Sequence, residues 1–276
     1  MGGGGGQRRP SVVPGSGWPG DPADAGTPVA TDPTAVRELA RVSTMDELDA
    51  RVSVCQACPR LVAWREEVAL TRRAAFAAEP YWGRPAPGFG PADARIAVVG
   101  LAPAAHGANR TGRVFTGDRS GDWLYAAMFR AGLANQPTSV HAGDGLQLHD
   151  VRVVASVRCA PPANKPTPGE RDTCRPWLVR ELQLLRPTLR VVVVLGSFGW
   201  QALWPALEEA GLATVPRPRP AFGHGAEVRV DGLTVLGCYH VSQQNTFTGT
   251  LTEAMLDAVL DKARVVAESG STAVGR

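Results

Sequence analysis

Four short apolar runs mark the chain from residue 95 onward: Arg95–Gly100, Val151–Val157, Arg190–Leu195 and Leu233–Tyr239. Each is rich in Val, Leu and Ile and is too short for a helix, as buried parallel strands are. A weaker alternating run lies at Glu227–Val230. Between and after these runs, apolar residues recur at helical spacing over Gly121–Leu133, Gly169–Arg186, Ser197–Ala210 and Thr250–Ala267. Strand and helix alternate, which predicts a parallel sheet with helices on both faces. Upstream, Asp32-Pro33 and Ser43-Thr44 are start signals for two short helices at Thr34–Val42 and Met45–Val54. A third helix is expected over Leu61–Ala78, then a Pro/Gly loop over Tyr81–Pro91, and Asn135–Asp150 reads as an inserted loop.

Composition limits the frame. Residues 1–34 are rich in Gly, Pro, Ser and Asp and are expected to form a disordered tail. One domain is expected over 35–268, with a frayed terminus at 269–276. No run reaches the roughly 20 apolar residues of a membrane span, and the N-terminus lacks an apolar signal segment. The expected place is the cytoplasm, with no membrane partner. Net charge is +3, which permits an anionic partner without demanding one. Of the 29 basic residues, only Lys165 and Lys262 are lysines. Arg suits bidentate phosphate contacts, although a high-GC genome produces the same bias.

The first strand runs into a long polar loop, Gly100-Leu-Ala-Pro-Ala-Ala-His-Gly-Ala-Asn-Arg-Thr-Gly-Arg-Val-Phe-Thr-Gly-Asp118. Loops at the carboxyl ends of strands are where open α/β sheets bind ligands. This loop holds an imidazole (His106), an amide (Asn109), guanidiniums (Arg110, Arg113), an aromatic (Phe115) and a carboxylate (Asp118). It lacks both the Gly-Lys-Ser/Thr and the G-x-G-x-x-G phosphate signatures, which argues against a nucleotide-binding enzyme. Two more polar loops leave strand ends: Arg158-Cys-Ala-Pro-Pro-Ala-Asn-Lys-Pro166, and His240-Val-Ser-Gln-Gln-Asn-Thr-Phe-Thr-Gly249.

Four cysteines fall into two pairs, Cys55-x2-Cys58 and Cys159 with Cys174. Four thiolates suit zinc or an iron–sulfur cluster, and spacing does not separate the two. The fifth, Cys238, lies inside an apolar strand and reads as core.

Together the three loops and the order of the cysteines resemble the uracil-DNA glycosylase superfamily, specifically its iron–sulfur family 5, or type B. The resemblance spans roughly Cys55 to Ala267. It implies a three-layer α/β/α sandwich around a central, mostly parallel four-stranded sheet. It also implies a structural [4Fe-4S] cluster on Cys55, Cys58, Cys159 and Cys174. The implied activity is monofunctional excision of uracil and other deaminated bases, hypoxanthine and xanthine among them, from double- and single-stranded DNA. A monomer is expected, in the cytoplasm and associated with the nucleoid. The alternative is a DNA-damage binding module that keeps the metal site without catalysis.

On this reading Asn109 positions water and His240 donates to the departing base. Asp118 is the rival carboxylate, better explained as a helix cap. Phe115 stacks under the flipped base, Asn164 reads its edge, and Gly100, Ala102 and His106 complete the pocket. Arg110, Arg113, Arg119, Lys165, Ser242, Gln244 and Asn245 contact DNA. Two departures stand out. The third loop reads His240-Val241-Ser242 where the family commonly has His-Pro-Ser, which removes a fixed φ. Ala102 stands where strict uracil enzymes carry an acid.

Overall fold

The computed structural model describes residues 11–269. Five strands form one sheet: β1 (Ile96–Gly100), β2 (Val151–Ala155), β3 (Val191–Leu195), β4 (Glu227–Val230) and β5 (Leu233–Cys238), in spatial order β2-β1-β3-β5-β4. The first three and β5 are mutually parallel, and β4 pairs antiparallel with β5. Among the described residues the sheet thus has five strands rather than four. The weak run at 227–230 earns its place as an edge strand, half-exposed and therefore poor in apolar signal.

Among the described residues nine helices accompany it: α1 (Pro33–Leu39), α2 (Met45–Ser53), α3 (Pro59–Thr71), α4 (Ala108–Thr111), α5 (Arg119–Arg130), α6 (Pro168–Leu185), α7 (Ser197–Glu209), α8 (Gln243–Phe247) and α9 (Glu253–Ser269). The expected third helix breaks at Thr71, where Arg72 takes φ of 55°, and only a short 3₁₀ turn follows at Ala74–Phe76. Successive strand residues point to opposite faces. Ala97, Val99, Val192 and Val194 face one core with α1, α2, α6 and α7. Ile96, Val98, Val191 and Val193 face the other with α5 and α9. That is the three-layer sandwich.

Residues 11–34 correct the expectation of a disordered tail. Trp18 packs against Trp82 and donates its indole N–H to the Thr111 carbonyl at 3.2 Å. Asp21 forms a buried ion pair with Arg84, and Ala30 is fully buried in the core. The anchors are single residues spaced among Gly and Pro, so composition hides them. The glycine run at 2–6 and residues 270–276 of the expected frayed end lie outside the described residues. No helix among the described residues is long and apolar enough to cross a membrane.

Candidate active site

All four parallel strands end on the same edge of the sheet. The strand order reverses between β1 and β3, the kind of switch point where α/β sheets open a crevice. A cavity of about 630 Å³ opens there, walled by the loops after β1, β2 and β5. The β1 loop contributes Ala102, Ala104, Phe115, Asp118 and Arg119; the β2 loop contributes Asn164 and Lys165; the β5 loop contributes His240, Ser242, Gln243 and Gln244. A larger hollow, about 790 Å³, lies between residues 11–19 and Tyr81. It gathers no comparable set of donors and titratable groups.

Glycine makes the cavity possible at two positions. A Cβ on Gly100 would come within 2.7 Å of the Phe115 ring, so the aromatic lies directly over the strand end. Phe115 itself holds φ of 50°, a strained value for a bulky residue, as is frequent at functional sites. A Cβ on Gly107 would come within 1.9 Å of Asp118 Oδ2.

Asp118 does two things at once. Its Oδ1 accepts from the Gly121 N–H at 2.9 Å and caps α5. The same carboxyl lines the cavity. Burial raises its pKa, against the opposing pull of the Gly121 and Ser120 N–H groups. His240 lines the same cavity, its ring centroid 6.2 Å from that of Phe115. Burial pushes the His240 imidazole down to about 4, so it is neutral at pH 7. Asn245 does not reach the cavity. Its Nδ2 donates to the His240 carbonyl at 2.8 Å and holds the loop. Ser242 caps α8 by accepting from the Asn245 N–H at 3.4 Å.

Several expected site residues are turned elsewhere. Asn109 is buried, away from the cavity, and donates to the Arg65 carbonyl at 3.1 Å and the Ala105 carbonyl at 3.4 Å. It is therefore not placed to hold water. His106 turns its Nδ1 to the Tyr81 hydroxyl, 2.9 Å away. Arg110 is buried between Glu79 and the Gly117 carbonyl. Arg113 is buried against Asp144 at 2.8 Å and Ser139 at 3.0 Å. Neither guanidinium is available to a phosphate, because each satisfies its donors inside the protein. Arg119, by contrast, lines the cavity, with its guanidinium 5.3 Å from the ring of the exposed Phe247. The inserted loop of 135–150 supplies Asp144 and Ser139, so it serves as the outer brace of the β1 loop.

The four paired cysteines line one small enclosed hollow, shared with Leu61, Arg65, Arg158 and Trp177. Their sulfurs are free thiols. Among the described residues no set of three or more His, Cys, Asp or Glu side chains is gathered as a ready metal site. Burial, with the neighbouring cysteines, pushes the Cys55 thiol to about 11 and Cys58 to about 12. Cys238 is core, as expected. The sequence reading missed Arg65. Its signal was there: a cation on the buried stripe Leu61-Arg65-Val68-Ala69 of α3.

Residues 87–264 match the Uracil DNA glycosylase superfamily. A type-5 uracil-DNA glycosylase of Mycobacterium tuberculosis is 57% identical over 261 residues, 94% of this chain and 96% of that protein. One of Thermus thermophilus is 51% identical over 217 residues, 78% and 95% of the two chains. A type-4 uracil-DNA glycosylase of Archaeoglobus fulgidus is 34% identical over only 119 residues, 43% of this chain and 51% of that one. With its sheet, its three strand-end loops and these relatives, the chain belongs to the uracil DNA glycosylase superfamily.

Proposed function

We propose that this DNA glycosylase removes uracil from DNA by hydrolysing the N-glycosidic bond. The observation that carries it is the convergence of a neutral His240, the ring of Phe115 and the carboxyl of Asp118 in one cavity at the sheet edge. A base within a duplex is out of reach, so the nucleotide is turned out into this cavity. Phe115 then stacks on the base and Asn164 hydrogen-bonds its edge. His240 donates to the carbonyl oxygen beside the breaking bond, where negative charge develops. Asp118, rather than Asn109, orients the attacking water against the sugar. Arg119 and Lys165 contact phosphates at the rim. The small side chains of Ala102 and Ala104 leave width for a purine, which supports hypoxanthine and xanthine as further substrates.

We also assign a [4Fe-4S] cluster to Cys55, Cys58, Cys159 and Cys174. The residues present fit an anionic group. Arg65 is buried with no carboxylate partner among the described residues, an arrangement that costs several kcal/mol unless anions stand nearby. Its Nη1 donates to Cys159 Sγ at 3.0 Å. Arg158 Nε and Nη1 and Arg65 Nε are buried without partners, and all three belong to residues lining the cysteine hollow. When bound, the cluster supplies a cross-link between the residues preceding α3, the β2 loop and α6.

Anaerobically purified protein is expected to be brown and to hold about four iron atoms per chain. It should leave alkali-labile abasic sites in uracil-containing DNA. Binding without cleavage would instead make it a damage-recognition module.

The pH profile checks Asp118. Its raised pKa means that protonation begins above the ordinary carboxylate range as pH falls. Uracil release should therefore weaken on the acid side at a higher pH than an ordinary carboxylate would give. Asp118→Asn should release uracil more slowly and lose that acid limb while keeping the α5 cap, since an amide oxygen also accepts. Persistence of the limb in this variant would assign it to another group.

A further inference from the structure

Asn109 is one of several polar residues of the β1 loop that the proposed reaction leaves unused, and its surroundings are specific. It sits in the single turn of α4, whose neighbour Ala104 lines the uracil cavity. Its backbone N–H donates to the Ala104 carbonyl at 3.1 Å. Its side chain reaches the opposite way, donating to the carbonyl of Arg65 on α3, 44 residues earlier. That same Arg65 donates through Nη1 to Cys159 Sγ and to the Cys55 carbonyl, both at 3.0 Å. The N-cap of α3 is Cys58. One side-chain bond therefore joins the cavity loop to the backbone of the residue whose guanidinium lies on the cysteine hollow.

A second route runs in parallel. The Asn109 and Arg110 carbonyls accept from the Gly83 and Trp82 N–H groups at 3.0 and 2.9 Å. Two residues on, Pro85 lines the cysteine hollow, and the Ala86 N–H bonds the Arg158 carbonyl at 2.8 Å, next to Cys159. α4 thus contacts the cysteine cage through α3 and through residues 82–86.

We propose that Asn109 is a positioning residue that ties the uracil-cavity loop to the iron–sulfur cage by fixing Arg65 over Cys159. The proposal rests on the cluster assignment above. Arg65 lies inside α3, so its carbonyl accepts the Asn109 amide through its second lone pair, and a carboxylate at position 109 would set oxygen against oxygen. Hydrogen bonds to ligand sulfurs tune the potential and the solvent access of a cluster. Arg65 supplies such a bond, and Asn109 sets where it points.

The test uses the full chain, purified anaerobically, with visible absorbance and iron content measured first. Asn109→Ala should load iron as the parent does but bleach in air about fivefold faster, the rate effect of one lost hydrogen bond. Its cluster midpoint potential should also shift. Altered packing alone would lower the melting temperature and leave the potential of the loaded protein in place, which overturns the proposal. Should Asn109→Ala fail to fold, Arg65→Lys keeps the charge and leaves the Asn109 acceptor intact while losing the guanidinium contacts. A shifted potential in Arg65→Lys supports the role of Arg65, and an unchanged one overturns it. Colourless, iron-free parent protein overturns the cluster assignment and this inference together. Brown parent protein with an Asn109→Ala variant that bleaches at the parental rate overturns this inference alone.

Discussion

Replacing His240 by alanine is expected to lower the single-turnover rate of uracil release by about a hundredfold, the loss that follows from removing one preorganised donor on a developing anion. The size follows from the setting. With its pKa pushed down to about 4, the imidazole is neutral at pH 7. The donor is therefore a neutral N–H, which needs no counter-charge and loses no proton when the base departs. Its loop is held from behind by Asn245, and Gly196 leaves just enough room, since a Cβ there would meet His240 Cβ at 3.2 Å. A donor so fixed need not reorganise during reaction, so removing it acts on the rate and not on DNA affinity. Rapid-quench assays with enzyme in excess, paired with equilibrium binding to uracil-containing DNA, measure both. Release at the parental rate would remove His240 from the reaction.

The second large effect separates two arginines that look alike in the chain. Arg113→Ala is expected to cost about 2–3 kcal/mol of stability, because it leaves the half-buried carboxylate of Asp144 with only its backbone donors. Burial alone would raise that carboxyl, yet the Arg113 guanidinium and the Leu146 and Val140 N–H groups hold it down to about 2. A depressed carboxyl stabilises the fold above its unfolded value near 3.8, and that contribution is lost as pH falls toward 2. Arg119→Ala removes no buried partner and should leave the urea midpoint in place. It should instead weaken DNA binding and reduce the salt slope by about one unit. Urea titrations and salt-dependent binding on both variants decide the matter. An unstable Arg119→Ala or a stable Arg113→Ala would reverse the assignment.

The contrast shows where local reading stops. Apolar runs located β1, β2, β3 and β5 to within two residues, because a strand buried on both faces carries its signal at every position. The edge strand β4 alternates and half-faces solvent, so its signal was weak. Asp118 read as a helix cap, and it is one. Its second role needed the fold, since the room beside its carboxyl comes from Gly107, eleven residues earlier. In the sequence Asn109 reads as the water residue and Asp118 as a rival better explained as a cap, because both lie in one polar loop and the spacing to α5 shows only the cap.

By itself the sequence determined the alternating α/β order, the three polar loops at strand ends, and the cysteines and histidine they carry. Those are local facts, set by periodicity and by which residues follow a strand. Only the tertiary structure decided which way each loop side chain points. Asn109 turns to Arg65, 44 residues away, Arg113 to Asp144, 31 away, and Arg84 to Asp21, 63 away. Loop residues lack a repeating backbone geometry, so their direction is chosen by whichever distant partner satisfies a buried donor. No neighbour in the chain announces that partner.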